Sequence, residues 1–189
     1  SDRIDIVAEM LIKKYHFVTA IESDTIYLFT GKRYENEKAT AIIKEETETW
    51  IANCKKNDPQ EVEAKIKRKT YKNLQDFDSD PNLINCENGI LDLRTMEKKD
   101  HTHTYLSKVL IPCNFTMPKS QDIEINLEKT LFWKYLKNSF TVDGKLIEKD
   151  MKTVLEIMAS VFLKTNVDER SVMFLGGGEN GKSVCLDYL

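Results

Sequence analysis

The chain has 189 residues, 41% hydrophobic and 31% charged, enough apolar side chain for one large or two small cores in a water-soluble protein. Its formal net charge of −3 excludes a globally basic nucleic-acid binder, so any DNA contact must come from a local patch. No apolar run reaches the ~18 residues of a membrane span, no secretory signal opens the chain, and four scattered cysteines (Cys54, Cys86, Cys113, Cys185) without a C-x-x-C pair argue against structural disulfides or zinc and for a reducing cytoplasmic setting.

Residues 2–15 place Ile4, Val7, Ala8, Leu11, Ile12 and Tyr15 at helical spacing, which predicts a helix with one buried face and Ser1 or Asp2 as its cap. Two β-rich runs, 17–21 and 25–29, flank Glu22-Ser23-Asp24 and predict a hairpin that Gly31 ends. Residues 39–54 return to helical spacing through Ile43, Thr47, Trp50, Ile51 and Cys54. Asp58-Pro59-Gln60-Glu61 marks a helix start, with Asp58 as cap and Pro59 in the first turn. This helix turns Val62, Ile66 and Thr70 inward. Its end is basic: Lys65, Lys67, Arg68, Lys69 and Lys72, with no acid among them. Two readings stay open for that run: contact with DNA phosphates, or a solvated face whose cations suit a helix C-terminus.

A loop at 76–81 leads to runs 83–87 and 90–93 around Asn88-Gly89, a hairpin signal that expects both turn residues at positive φ. A further β-like run covers 103–111. His101 and His103 fall on one face of an extended segment, either as a metal pair without a third ligand nearby or as ordinary surface or core histidines; His16 reads as structural. Residues 112–123, with Pro112 and Pro118, form a connector. It separates a domain at 1–119 from a helical linker at 120–167. The linker predicts a helix over 127–140, broken at Asp143-Gly144, and a second over 146–163 whose Met and Phe stripe reads as core. The expected fold is α+β, with helices, short antiparallel hairpins and a helical linker.

Residues 168–189 read as the start of a further domain. Ser171-Val-Met-Phe-Leu175 predicts a short buried strand that feeds Gly176-Gly177-Gly178-Glu179-Asn180-Gly181-Lys182-Ser183. That octet fits G-x-x-x-x-G-K-[ST], with a helix expected after it. Glycines let backbone N–H groups close around phosphate oxygens, and the following helix N-terminus adds partial positive charge. Lys182 would reach the β- and γ-phosphates of ATP, and the Ser183 hydroxyl would hold Mg²⁺. The competing reading is a glycine-rich turn that matches by chance. The chain begins without Met and runs six residues past Ser183, too few for a second strand with an acidic Mg²⁺ partner, so it is expected to be the front of a longer protein.

Two stretches carry a family resemblance: Leu83-Ile-Asn-Cys-Glu-Asn-Gly-Ile-Leu-Asp-Leu-Arg-Thr95, followed by a run ending in Pro112, and Phe174-Leu-Gly-Gly-Gly-Glu-Asn-Gly-Lys-Ser183. Together they resemble the phage, plasmid and poxvirus primase–helicases, whose motor is a superfamily 3 helicase of the AAA+ class. In that family an N-x-x-N-G-x-L-D-L segment closes a domain upstream of the motor. A helical linker with an aromatic-rich start follows, here Phe132-Trp-Lys-Tyr-Leu136. The resemblance implies an ATP-hydrolysing replicative DNA helicase, fused or not to a primase, acting as a homo-hexamer on single- or double-stranded DNA. It implies that Gly176, Gly177, Gly178, Glu179, Asn180, Gly181, Lys182 and Ser183 bind ATP·Mg²⁺, with Lys182 as the catalytic cation. Glu179 stands where a small residue is more usual, and a carboxylate there repels phosphates unless it faces solvent. The acidic strand end, sensor and arginine finger of such motors have no counterpart in these residues, so weak or absent hydrolysis is expected. A non-catalytic DNA-binding or assembly module is the alternative; a simple P-loop kinase fits less well, because its loop normally lies near the domain start.

Overall fold

Which residues the first helices bury follows from their 3.6-residue spacing. The computed structural model describes residues 2–116, 128–162, 173 and 183, and the chain divides into two units, Ser1–Phe115 and Thr116–Leu189. In the first unit α1 (Asp2–Tyr15), α2 (Ala39–Trp50) and α3 (Asp58–Thr70) surround one core. Ile4, Val7, Ala8 and Leu11 of α1 meet Ile43 of α2 and Val62 and Ile66 of α3. Ile26 and Leu28 close this core from the sheet side.

That sheet has the order β3-β2-β1-β4, built from β1 (Val18–Ala20), β2 (Thr25–Phe29), β3 (Tyr34–Glu35) and β4 (Tyr71–Lys72). β1 runs antiparallel to β2 and parallel to β4. The period-2 alternation of β2 serves two cores: Ile26 and Leu28 face the helices, while Tyr27 and Phe29 face Val18, Ala20, Tyr34, Phe77 and Leu106. Thr19, on the helix side, bonds the Thr70 hydroxyl at 2.9 Å and ties β1 to the end of α3.

A second sheet, β5-β6-β7, is an antiparallel meander of β5 (Leu83–Cys86), β6 (Gly89–Asp92) and β7 (Glu97–Lys99). Ile84, Cys86 and Leu91 form its core with Leu93, Ile111 and Phe115. The second unit holds α4 (Leu131–Ser139), a hairpin of β8 (Thr141–Val142) and β9 (Lys145–Leu146), and α5 (Glu148–Ser160). Leu136, Met151 and Val154 centre a core that Phe132, Trp133, Tyr135 and Phe140 edge. The fold is α+β. Among the described residues no helix is long and apolar enough to cross a membrane.

Several expectations from the sequence shift. α2 ends at Trp50, so Cys54 lies in the α2–α3 connection, and Trp50 points outward to donate its indole N–H to Glu46 at 2.8 Å. Asn57, not Asp58, flanks the start of α3. The Asp58 carboxylate turns back to accept from Lys55 N–H at 3.0 Å and from Arg3 at 3.1 Å. α4 starts at Leu131 because the Thr130 hydroxyl accepts from Trp133 N–H at 3.1 Å, a side-chain cap. Residues 103–111 form no ladder beyond one bridge at Ile111. Their polar groups go instead to Asp78, which accepts from the Ser107 hydroxyl (2.6 Å) and Lys108 N–H (3.0 Å). β7 replaces that run as the third strand; its Glu-Lys-Lys sequence hid it, since charge on a fully exposed edge carries no apolar alternation. Met173, expected to be buried, is 79% exposed; the other residues of the strand expected at 171–175 lie outside the described residues.

Because Ile66 is fully buried among all three helices, Ile66→Ala is expected to lower unfolding free energy by about 2–5 kcal/mol. Urea denaturation should show it as a lower midpoint at unchanged slope. The exposed Ile6→Ala control should shift the midpoint far less.

Candidate functional site

The segment 83–93 was expected to turn at Asn88-Gly89. The structure moves the turn one residue back. Cys86 pairs with Gly89, so Glu87 and Asn88 are the two loop residues, and only Gly89 has positive φ (140°). Glycine is required at 89 for a second reason: a Cβ there would lie 2.6 Å from the Lys99 carbonyl of β7. Asn88 is kept out of the positive-φ region by its side chain's other task. Its amide donates to Phe115 C=O at 2.8 Å and accepts from Phe115 N–H at 2.9 Å.

Asn85 does the same work one strand earlier. Its Nδ2 donates to Lys32 C=O at 2.9 Å and to Val109 C=O at 3.1 Å, so one buried amide joins the β2–β3 connection, β5 and the run 109–115. Its Oδ1 is buried without a described donor, because both amide hydrogens hold the group oriented toward two carbonyls. The backbone adds Ile111 N–H to Asn85 C=O (2.8 Å) and Glu87 N–H to Cys113 C=O (2.9 Å). Asp92, buried at the far end of β6, accepts from Arg94 Nε at 2.9 Å and Lys99 at 3.2 Å, while Arg94 also reaches Asp80 at 2.9 Å. Arg94, with Lys99 beside it, holds the Asp92 carboxyl far below the usual carboxylate range. Every motif position from Asn85 to Asp92 therefore binds its own chain. The arrangement clasps: its asparagine and aspartate side chains are taken up in holding the fold.

The basic run of α3 is arranged differently from its sequence. Lys65 pairs with Asp5 at 2.5 Å and Lys69 with Glu9 at 2.7 Å, both on α1. Lys67 reaches Asp24 at 2.9 Å and Glu63 at 3.4 Å. These direct bonds hold the Asp5, Glu9 and Asp24 carboxyls below their ordinary range. Apart from Glu63 on the same helix, the acids that neutralise the run lie far along the chain, which is why the run itself showed none. Arg68 and Lys72 are exposed and have no ion pair among the described residues. Tyr71, between them on the surface, donates its hydroxyl to Asp24 at 2.8 Å.

The two histidines thought to share a face are separated. His101 Nε2 bonds Cys86 C=O at 2.9 Å, whereas His103 stacks on His16 with centroids 3.8 Å apart and planes at 4°. Burial, and then the neighbouring His103, push the His16 imidazole down from its ordinary value. Among the described residues no group of three or more His, Cys, Asp or Glu converges to hold a metal ion. Sequence reading also missed Asp78 and Glu46. Glu46 is held at about 2 by Lys14, Tyr15 and Trp50, and its i, i+4 spacing to Trp50 was the only local signal. Gly176, Gly177, Gly178, Glu179, Asn180, Gly181 and Lys182 lie outside the described residues; Ser183 is exposed and helical.

The sequence profile of the family described as "D5 N terminal like" matches residues 8–158. That covers most of the chain, from α1 into α5, and the chain belongs to this family. The domain is found in phage and viral primase–helicase proteins, which gives the chain a DNA-replication context. No curated protein matches the chain.

Two outcomes follow from the clasp. Asn88→Ala removes both bonds to Phe115 and should cost about 1–2 kcal/mol of stability by urea titration. Asp92 has a depressed folded pKa, so its stabilisation is present above the unfolded carboxylate value of ~4 and is lost as pH falls through the folded pKa. The stability gap between wild type and Asp92→Asn should thus be flat from neutral pH to about 5 and close progressively below ~4.

Proposed function

We propose that this D5 N-terminal-like chain is the front portion of an ATP-driven replicative DNA helicase, with or without a primase, from a virus, phage or mobile element. The observation that carries the reading is the phosphate-loop octet 176–183, which starts 18 positions beyond the end of the family match at 158. Residues 1–167 then serve as the body that precedes the motor, and ATP·Mg²⁺ binds at Gly176–Ser183. The donor set fits that ligand: glycine N–H groups, one lysine and one hydroxyl are what a polyphosphate with a divalent cation needs. Bound ATP supplies the scissile phosphoanhydride. Lys182 would stabilise charge on the γ-phosphate, and Ser183 would orient the metal. Assembly as a homo-hexamer around DNA belongs to the same reading.

A fluorescent ATP analogue titrated into the chain tests it. Lys182→Ala should weaken binding at least tenfold, by an order-of-magnitude estimate for losing one charged phosphate contact, at an unchanged unfolding midpoint. Equal affinity in the two proteins would contradict the assignment. Hydrolysis by residues 1–189 should be weak or absent, and robust turnover abolished by Lys182→Ala would overturn that expectation.

A second reading, direct DNA binding by the first unit, is favoured by one observation: Arg68 and Lys72 are exposed cations flanking the surface ring of Tyr71. Phosphate affinity scales with the cations free to displace counterions. Arg68→Glu/Lys72→Glu should therefore flatten the salt dependence of DNA binding, with Lys67→Glu/Lys69→Glu acting chiefly on stability through Asp24 and Glu9. An unchanged salt slope in the Arg68/Lys72 variant would remove the surface from consideration.

A further inference from the structure

Two of the chain's cysteines meet inside the clasp. Cys86 ends β5 and is buried; Cys113 is exposed, near the end of the first unit. The parallel bridge from Cys86 to Ile111 sets the two segments side by side. The Glu87 N–H bond to Cys113 C=O and the turn closed by Cys113 N–H on Ile111 C=O (2.7 Å) bring residue 113 back over residue 86. The Cys113 side chain is a close enough neighbour of the Cys86 thiol to help raise its pKa, after burial. Both are free thiols.

We propose that Cys86 and Cys113 form a reversible disulfide, a redox modification that locks the run 109–115 onto the β5–β6 hairpin. The oxidant is a low-molecular-weight disulfide such as glutathione disulfide. Exposed Cys113 gives up its proton, and its thiolate attacks one sulfur of that disulfide; the old S–S bond breaks, a mixed disulfide forms and one glutathione thiolate leaves. Cys86, deprotonated in turn, attacks Cys113 Sγ and expels the second glutathione. The balance is two protein thiols oxidised and one small disulfide reduced to two thiols. Cys86 is the slower partner, since burial and the adjacent Cys113 push its thiol pKa up.

The geometry makes closure local. The backbone on both sides is already held by the Asn85 and Asn88 amides and by three backbone hydrogen bonds, so the two segments that carry the sulfurs lie fastened side by side before any link forms. The bond would close a covalent loop across β6 and β7 and remove the openings in which the run 109–115 detaches. Redox state would then set how firmly the last segment of the first unit is fastened. A disulfide of this kind is compatible with a reducing compartment because it is transient and labile.

The test uses the full 189-residue chain with Cys54→Ser and Cys185→Ser, so that only the pair remains. Incubation with glutathione disulfide at mildly alkaline pH, followed by alkylation and peptide mass mapping, should show both thiols lost together. The Cys86 and Cys113 peptides should be joined, no glutathione retained, and dithiothreitol should restore both thiols. Adding Cys113→Ser should leave Cys86 reduced, and adding Cys86→Ser should leave glutathione trapped on Cys113. In the oxidised chain, amide exchange at 111–115 should slow. Retention of glutathione on Cys113 with Cys86 still alkylatable, or no loss of either thiol, would overturn the proposal.

Discussion

Two asparagine side chains hold the first unit together where its backbone has no ladder to do so. Residues 109–115 are largely irregular, and an irregular segment beside a small core must place its N–H and C=O groups somewhere. Asn85 and Asn88 supply amide partners for Val109 and Phe115, and Asn85 reaches across to Lys32 in the β2–β3 connection. Each such bond contributes about 1 kcal/mol net, but losing one leaves a buried carbonyl unpaired at about 1–3 kcal/mol. That asymmetry makes asparagine hard to replace here. A carboxylate of the same shape has no donor to offer the carbonyls, and an apolar residue leaves all of them unpaired.

Charge in the same unit works as a fastening between elements. The three lysines of α3 that pair with Asp5, Glu9 and Asp24 bind α3 to α1 and to the β1–β2 turn. Exposed pairs of this type contribute little to stability, about 0–1 kcal/mol each, far below the burial of Ile66 and Val62 beneath them. Their larger consequence is for recognition. A cation already satisfied by a carboxylate adds little to a phosphate-binding surface, so the nucleic-acid potential of the run falls on Arg68, Lys72 and the ring of Tyr71. The proposed ATP site rests on the glycine-rich octet of the sequence alone, and the clasp belongs to architecture.

Much of this was legible where periodicity is strong. Ile4, Val7, Leu11, Val62 and Ile66 announced the faces of α1 and α3, and Asp143-Gly144, both at positive φ, announced the β8–β9 turn as a break. Gly89 was legible as a turn glycine, although its requirement comes equally from the approach of β7. What stayed hidden was non-local. Nothing around Lys65–Lys72 shows that acids 43 to 60 positions away neutralise it, and nothing around Asn88 shows that Phe115 occupies its amide. β7 was hidden by being an edge, because an exposed Glu-Lys-Lys strand carries no apolar signal. The N-x-x-N-G-x-L-D-L pattern was recognised as a family mark before its physical reason was visible. The reason is that each polar position in it has a backbone or ionic partner in the fold.

The claim that the clasp is the central fastening of the first unit makes native-state hydrogen exchange its most direct measurement. The amides of Glu87, Leu93, Ile111 and Phe115 donate within or beside the clasp. If the clasp opens only with the unit as a whole, these four exchange with one common free energy, equal to that of the β5–β6 ladder and of the α1–α3 core. Near-unprotected exchange at Ile111 and Phe115, with the core still protected, would contradict the account.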